Sequence, residues 1–358
     1  MGPVMPYPGP YAFPVEGGPH GVGGVEPCCG EETCHPSCHG FGRYGGAGDF
    51  PVGDGTAHWR VRVEPIFLNF GLPAEPRELS FDAAGDPVAI RNLDFDNELN
   101  VRLSIETRLE NDHSLEFVFL GFVHWADALT ITDQFGTLQS VFQLLDGSPA
   151  VPFDDALEHD IAYTSDLCNF EFNYWMPIFQ SSRFQSSFMV GGRFLHIEED
   201  FIYRAVDIIG VNTVTGVAAT NTTNDILAGQ IGLMCWAPVN DLMSLRFDGK
   251  VGSGYNLGEQ ETDITVVSAG PQNLDYSESA DTSKGAFFAE LQGLIIGQIN
   301  CNLACYVGYQ VLWVDELVLA PEQFNPVFPT AAGGRPVIIN DRGNRSYHGL
   351  VTGVEVTW

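Results

Sequence analysis

The chain lacks the features that mark membrane helices and nucleic-acid-binding proteins. No stretch of its 358 residues approaches the roughly 18 uninterrupted apolar residues that a membrane-spanning helix needs. Lysine and arginine together number only 16 against 46 aspartates and glutamates, so the formal net charge is -30. Nucleic acid and anionic lipid surfaces repel such a chain, and we expect neither as a partner. Any membrane span must therefore be built from strands.

Signals for export and for catalysis are missing as well. The N-terminal segment carries neither the basic nor the apolar part of a secretory signal. This counts against export, although a trimmed or misplaced start would leave the same sequence. The chain contains no nucleotide-binding loop, no nucleophile elbow and no HExxH zinc motif. We therefore expect no enzyme, no cofactor and no bound metal.

Residues 1–55 are rich in glycine and proline and show no periodicity, which predicts a disordered N-terminal extension ahead of one domain over 56–358. Within the extension, the segment CCGEETCHPSCHG combines cysteines with histidines. These are Cys28, Cys29, Cys34 and Cys38 with His35 and His39. Their spacing is not that of a standard zinc finger, so a disordered tail and a metal or disulfide knot both stay open.

What the chain does have is long alternation of apolar and polar side chains. Residues 97–125, NELNVRLSIETRLENDHSLEFVFLGFVHW, read as two alternating runs joined by the turn Asn111-Asp112-His113, which predicts a hairpin. Each arm is about twice the usual strand length of 5 or 6 residues in soluble domains. Strands of this length cross a bilayer at a tilt.

The alternation recurs in ten segments. They are 58–70, 97–110, 113–126, 161–176, 184–203, 225–237, 241–256, 285–299, 304–316 and 346–358. The connections alternate between four short turns and five long segments, 71–96, 127–160, 204–224, 257–284 and 317–345. Short turns at one rim and long loops at the other are typical of outer-membrane barrels. The sequence thus predicts an all-β, up-and-down antiparallel transmembrane barrel of about ten strands.

One face of the ten predicted strands carries no Lys, Arg, Asp or Glu, and we assign it to the lipid. A charge there would cost about 2–4 kcal/mol at the midplane. The face includes Leu115 to Trp125 on odd numbers and Cys168 to Tyr174 on even numbers. In a soluble barrel the apolar face would point inward, but the strand lengths and sorted loops favour a membrane. Aromatic residues near the strand ends predict interfacial girdles. They are Trp125, Tyr174, Trp175, Trp313 and Trp358.

The opposite face is predicted to line the lumen. Its charged members are Arg60, Arg62, Glu64, Arg102, Glu106, Arg108, Glu110, Glu116, Glu171, Arg193, Arg246, Asp248, Lys250, Glu290 and Glu355. Basic and acidic groups nearly balance on this face, so the excess negative charge belongs to the loops and the tail. Ten strands also lie close to the eight-stranded case, in which side chains fill the interior. We expect a lumen narrowed by ion pairs.

The last strand, YHGLVTGVEVTW, ends on Trp358 with Val354 and Val356 at alternate positions. This ending resembles the signal that outer-membrane barrels present to their assembly machinery. Together with VGYQVLWVDELVLAPEQF, MVGGRFLHIEEDF and ILAGQIGLMCWAP, it resembles the β-barrel porin family typical of planctomycete outer membranes. The resemblance covers about 58–358 and implies an outer-membrane location, contact with outer-membrane lipid and pore activity. The missing signal sequence and the cysteine-rich extension depart from the family pattern.

Three functions stay open. The leading interpretation is a narrow passive pore or a structural barrel of the outer membrane. The second is a surface-binding module whose acidic external loops hold divalent cations or a partner. The third is a hydrolase at the external rim, where Asp and His could activate water. The rim candidates are His124, Asp127, Asp154, Asp155, His159, Asp160, His196 and Glu198 to Asp200.

Overall fold

The computed structural model describes most of the predicted domain. The described residues are 59–71, 78–95, 98–109, 112–143, 150–181, 183–268, 274–300, 302–325, 327, 337 and 339–358. The predicted extension over 1–55 lies outside them, and so does Glu110. No helix in the described part of the chain is both long enough and apolar enough to span a membrane.

Ten antiparallel strands close into a ring in the described part of the chain. With three further short strands, the described part of the chain has thirteen: β1 Trp59–Gly71, β2 Glu78–Phe81, β3 Pro87–Ala89, β4 Glu98–Arg108, β5 Ser114–Thr132, β6 Gln139–Ser140, β7 Glu158–Gln180, β8 Gln185–Ile209, β9 Asn212–Asn240, β10 Met243–Ser268, β11 Leu274–Asn300, β12 Leu303–Leu317 and β13 Gly343–Thr357. The ring runs β1-β13-β12-β11-β10-β9-β8-β7-β5-β4, and β3-β2-β6 form a separate small sheet. One short helix, α1, spans Ala320–Gln323. The predicted fold class is confirmed.

The first and last strands close the ring. β1 pairs with β4 on one side and with β13 on the other. At the end of this seam Trp59 and Trp358 exchange two backbone hydrogen bonds, each 3.1 Å long. Every other ring strand pairs with the ring strands before and after it in the chain. The sheet therefore has no edge at the level where β1 and β4 take part.

Two of the five predicted long loops are strands instead. Residues 204–224 belong almost entirely to β8 and β9, which turn at Gly210 and Val211, and 257–284 belong largely to β10 and β11. Gly210 adopts a φ of +69°, a conformation that glycine reaches without strain. The prediction failed because it required an apolar outward face. In β10 the outward face becomes acidic after residue 258, although the backbone continues as a strand.

The polarity of the strands inverts along their length. In the half of the ring next to the short turns, outward side chains such as Phe172 and Ile231 are apolar and exposed, while inward ones are charged. We call this outward surface the apolar belt. Beyond it, in what we call the outer half, Glu198 and Asp200 of β8 point outward, whereas Phe201 and Tyr203 are buried inside. The outer half is thus built like a soluble protein.

Long connections fold into the outer half and fill it. Residues 78–95, 133–143, 150–157 and 318–325, which we call the plug, bring apolar side chains against the inner wall. Those in the core are Leu79, Val88, Ile90, Leu93, Phe95, Leu138, Phe142, Ala150, Phe153, Ala156, Leu319, Ala320 and Phe324. The wall contributes aromatic partners such as Tyr203, whose ring centroid lies 5.9 Å from those of Phe142 and Phe324. Burial of apolar area holds the plug in the barrel.

A bulge in β5 overturns part of the predicted lipid face. The register between β5 and β7 shifts between Leu120 and Val123, so the side chains beyond it change sides. Val123 and Trp125, predicted to face lipid, are 0% exposed in the interior. The Trp125 indole donates to the carbonyl of Leu68 at 3.2 Å and stacks on Tyr347. Cys168, also assigned to lipid, is buried beside the bulge.

Candidate functional site

The inner face at the level of the apolar belt carries most of the predicted lumen residues. Those with buried side chains are Arg60, Arg62, Glu64, Arg102, Glu106, Glu116, Glu171, Arg193, Arg246, Asp248 and Glu290, and Lys250 and Glu355 are largely covered. We call these thirteen groups the charged layer. Arg108 does not join them, because it lies at the short-turn end and pairs with the exposed Asp112.

Strand register places opposite charges side by side. Arg60 faces Glu106 across β1 and β4, and their side chains meet at 2.9 Å. Glu64 likewise faces Arg102, to which it is paired. On the far side of the ring, Glu171 of β7 faces Arg193 of β8. Directly opposed residues of neighbouring strands are in contact, so these three ion pairs follow from the strand register itself.

Other ion pairs cross the interior. Arg193 of β8 is bonded to Glu290 of β11, although β9 and β10 lie between these strands. Glu290 is also 3.8 Å from both Arg102 of β4 and Lys250 of β10. Lys250 in turn reaches Glu171 of β7 at 2.9 Å. Because buried charges that lose a partner are strongly destabilised, these bridges hold the lumen closed.

Neutral side chains complete the charged layer. The amide of Asn173 donates to Glu116 and to Glu171, at 3.1 Å each, and the indole of Trp175 donates to Glu116 at 2.9 Å. Trp175 is therefore a lumen residue and not the predicted girdle residue. The sequence did carry a signal for this placement, since Trp175 shares its odd-numbered face with Glu171 and Asn173.

Little space remains among these groups. One cavity among these groups has a volume of about 20 Å³, counted as the space that the centre of a water-sized sphere can reach. Its lining includes Arg62, Arg102, Glu116, Trp175 and Lys250. A void of this size holds about one water molecule. This cavity therefore admits water and no larger solute.

The predicted rim groups do not converge. His124 bonds Asp166 at 2.9 Å, and His196 bonds Asp225 at 2.7 Å, both on the exposed outward wall. Asp127 accepts from the backbone N–H of Asp94 at 2.7 Å. His124 and Asp127 lie on β5 and His196 lies on β8, with β7 between these strands. Among the described residues, no three His, Cys, Asp or Glu side chains are arranged to hold a metal ion.

His159, another rim candidate, is buried and joins the wall to the plug. Its Nε2 lies 2.9 Å from the carbonyl of Phe153, which can only accept, so Nε2 carries the proton. Nδ1 then accepts from the hydroxyl of Ser80 at 2.6 Å. Burial lowers the pKa of His159 to about 4, and the imidazole is neutral at pH 7. It ties two plug segments to β7.

Asp154 shapes a turn of the plug. Its carboxylate accepts backbone N–H groups from Ser140 at 2.9 Å and from Ala150 at 3.1 Å. Burial raises the pKa of Asp154 above its ordinary value. With both oxygens engaged by the backbone, this carboxylate organises the loop and has no free side toward a substrate.

The outward surface decides where the barrel resides. Large apolar side chains are exposed around the belt, among them Leu99, Phe172, Leu227, Phe247 and Leu291, and among the described residues no charged side chain interrupts them. In water, an exposed apolar surface of this extent would aggregate, whereas in a bilayer it is solvated. The protein is an outer-membrane β-barrel. Val354, Val356 and Trp358 of the predicted assembly signal are exposed at this surface.

Comparisons with known proteins list solved structures of outer-membrane proteins among those similar to this chain. No family model and no curated protein matches the chain. The outer membrane protease OmpT of Escherichia coli is 11% identical, with 84% of this chain and 97% of that chain covered and a TM-score of 0.45.

Two channel structures also match. The toluene transporter TodX of Pseudomonas putida is 7% identical, with 88% and 96% covered and a TM-score of 0.25. An anion-selective porin from Comamonas acidovorans is 10% identical, with 84% and 100% covered and a TM-score of 0.19. These likenesses span a protease and two channels, and at such TM-scores they carry no argument about activity.

Proposed function

We propose that the protein is a narrow passive pore of the outer membrane that is closed most of the time. The observation that carries the proposal is the charged layer, a hydrophilic cross-section at membrane level whose ion pairs bridge non-neighbouring strands. The plug adds a second barrier in the outer half. Conduction then requires both to rearrange, and we expect a small and intermittent conductance without catalysis.

The outer wall supports a mild preference for cations. Glu259, Glu261 and Asp263 are exposed on the outward face of β10, and Asp281 of β11 lies opposite Glu259. The charged layer itself is nearly balanced, so it offers little selectivity. A negative potential around the entrance raises the local cation concentration and favours cation entry.

Orientation and partners form part of the proposal. The short turns lie in the periplasm and the plug side faces outward, as in other outer-membrane barrels. The strand ending in Trp358 engages the barrel assembly machinery, the acidic outer wall attracts divalent cations, and the chain is kin to the planctomycete β-barrel porins. Resemblance of sequence segments supports this kinship.

Recordings in planar bilayers test the function. Purified protein, shown to be a closed barrel by heat-modifiable migration, should give brief current steps that are small and weakly cation-selective. A large, steady, ohmic current from the unmodified protein would show an open interior and contradict the proposal. Complete silence in both electrical and solute-flux assays would make it a structural barrel instead.

A further inference from the structure

The inner wall of the outer half is not uniform. Most of it is apolar, but β9 and β10 carry a column of uncharged polar side chains. We call this column the polar stripe, and its members are Thr220, Thr222, Asn224 and Gln230 of β9 with Asn256, Gln260 and Thr262 of β10. All seven are buried. Thr222 faces Gln260 and Thr220 faces Thr262 in register, so the stripe runs along the strand pair toward the charged layer.

The stripe keeps unused hydrogen-bonding capacity. Thr222 Oγ1, Asn256 Oδ1, Gln260 Oε1 and Gln230 Oε1 are buried without a hydrogen-bond partner in the structure. Buried polar atoms are normally paired, because leaving one unpaired costs about 1–3 kcal/mol. Four such acceptors in one column are hard to explain as packing. They are explained if water or a polar solute passes along them.

Apolar side chains separate the upper stripe from the charged layer: Phe288 of β11, with Ile226 and Ala228 of β9. Phe288 of β11 faces Gly252 of β10, and a Cβ at Gly252 would lie 2.2 Å from the ring. The ring thus occupies the groove that the missing side chain leaves. On its other side the guanidinium of Arg193 lies over the ring, 4.5 Å from its centroid. Phe288 therefore closes the way from Asn256 to Gln230.

The chemistry of the stripe selects its solute. On the inward faces of β9 and β10 no charged side chain lies between Thr262 and Gln230. Two buried carboxylates flank the stripe, and both are engaged: Glu199, opposite Thr222, pairs with Arg345, and Glu278, opposite Thr262, accepts from the hydroxyl of Tyr276. An ion would therefore lose its hydration along the stripe with little compensation. Threonine, asparagine and glutamine offer donors and acceptors that can replace water around hydroxyl and amide groups. Small uncharged polar molecules meet this requirement.

We infer that the pore conducts small uncharged polar solutes along the polar stripe of β9 and β10 when the plug segment bonded to Asn224 moves aside, with Phe288 as the barrier between the stripe and the charged layer. The inference rests on the proposed pore and names its route and substrate class. Ions take the same path poorly, which agrees with a small electrical conductance. Flux of neutral solutes, and not current, is then the main activity.

Swelling of proteoliposomes in glycerol or urea tests the route, with ionic conductance measured on the same preparations. Phe288→Ala should raise the rate of neutral-solute entry severalfold and change conductance much less. Phe70→Ala is the matched control, since Phe70 is also a buried inward phenylalanine but lies on β1, away from the stripe. Heat-modifiable migration shows which variants still form a closed barrel.

A second pair of variants leaves the barrier intact. Thr222→Val with Gln260→Leu removes two of the unpaired acceptors and should slow solute entry severalfold. Thr223→Val, on the outward face of the same strand, should leave it unchanged. Equal effects of Phe288→Ala and Phe70→Ala on solute entry would contradict the route, and so would a normal rate of entry after loss of Thr222 and Gln260. In either case the proposed pore still stands if the wild type conducts. A wild-type protein that passes neither solute nor current would contradict both the pore and the route.

Discussion

At the scale of single residues, Glu290 joins three basic side chains of the charged layer. It contacts Arg193, Arg102 and Lys250, each from a different strand. Glu290→Ala should destabilise the barrel by about 3–5 kcal/mol, because three buried cations lose a carboxylate at once. The shift of the urea unfolding midpoint in detergent measures this effect. Arg108→Ala is the control, and its partly exposed pair with Asp112 should contribute less than about 1 kcal/mol.

Arg102 should limit conductance where Arg108 does not. Arg102 pairs with Glu64 and donates to Gln310 at 2.6 Å inside the lumen, whereas Arg108 points to the short-turn end. Arg102→Ala should therefore increase the size or frequency of current steps severalfold in planar bilayers. If Arg108→Ala produced the same increase, the constriction would lie at the periplasmic mouth instead of within the charged layer.

His159 makes the stability of the outer half depend on pH. Its pKa is about 4 in the folded protein and 6.5 when it is free, so the unfolded chain binds the proton more readily. Folding stability should therefore be complete above about pH 6.5 and decline toward pH 4, by up to about 3 kcal/mol. Unfolding at a series of pH values measures the slope. His159→Gln, which cannot titrate, should flatten it, and an unchanged slope would assign the effect to other groups.

At the scale of elements, one asparagine attaches a plug segment to the wall. Asn224 of β9 accepts from the backbone N–H of Val318 at 2.7 Å and donates to its carbonyl at 2.8 Å. Asn224→Ala leaves both groups of a buried residue unpaired and should destabilise this attachment by about 2–4 kcal/mol. Hydrogen exchange at 318–320 should accelerate accordingly. Asn221→Ala, on the outward face of the same strand, should leave that exchange unchanged.

The ring strands were predictable because a barrel repeats one simple rule. Each strand must show lipid one face and the lumen the other, and this alternation can be read directly from residues such as those of 97–125. Prediction failed where the rule changes. Beyond the belt the outward face of β10 turns acidic at Glu259, so the strand appeared to end. The bulge before Val123 reverses the faces of β5, and a two-residue irregularity leaves no mark in the periodicity.

The plug and its contacts could not be predicted in this way. Its apolar residues, for example Leu79, Phe142 and Phe324, lie in connections without periodicity. They find a core only because the ring encloses them from segments far apart in the chain. The charges of the lumen could be assigned by face, yet their partners could not, since Arg193 and Glu290 meet across two intervening strands.

At the scale of the whole molecule, the ring of strands has two halves of opposite polarity. Near the short turns the outside is apolar and the inside charged, and in the outer half this order is exchanged. The outer half is thus stabilised by burial from water, as in a soluble protein, and the belt half by lipid. The charged lumen of the belt half and the apolar filling of the outer half follow one another along the barrel axis. They form two barriers of different chemistry.

The seam between Trp59 and Trp358 joins the first and last strands of the ring. β1 is synthesised before β13. The edge of β1 that pairs with β13 therefore stays open to other chains until the last strand is available. Loop closure over such a separation is slow, and exposed edges invite aggregation meanwhile. A chain that lacks β13 therefore keeps one edge of β1 unpaired and cannot close this ring.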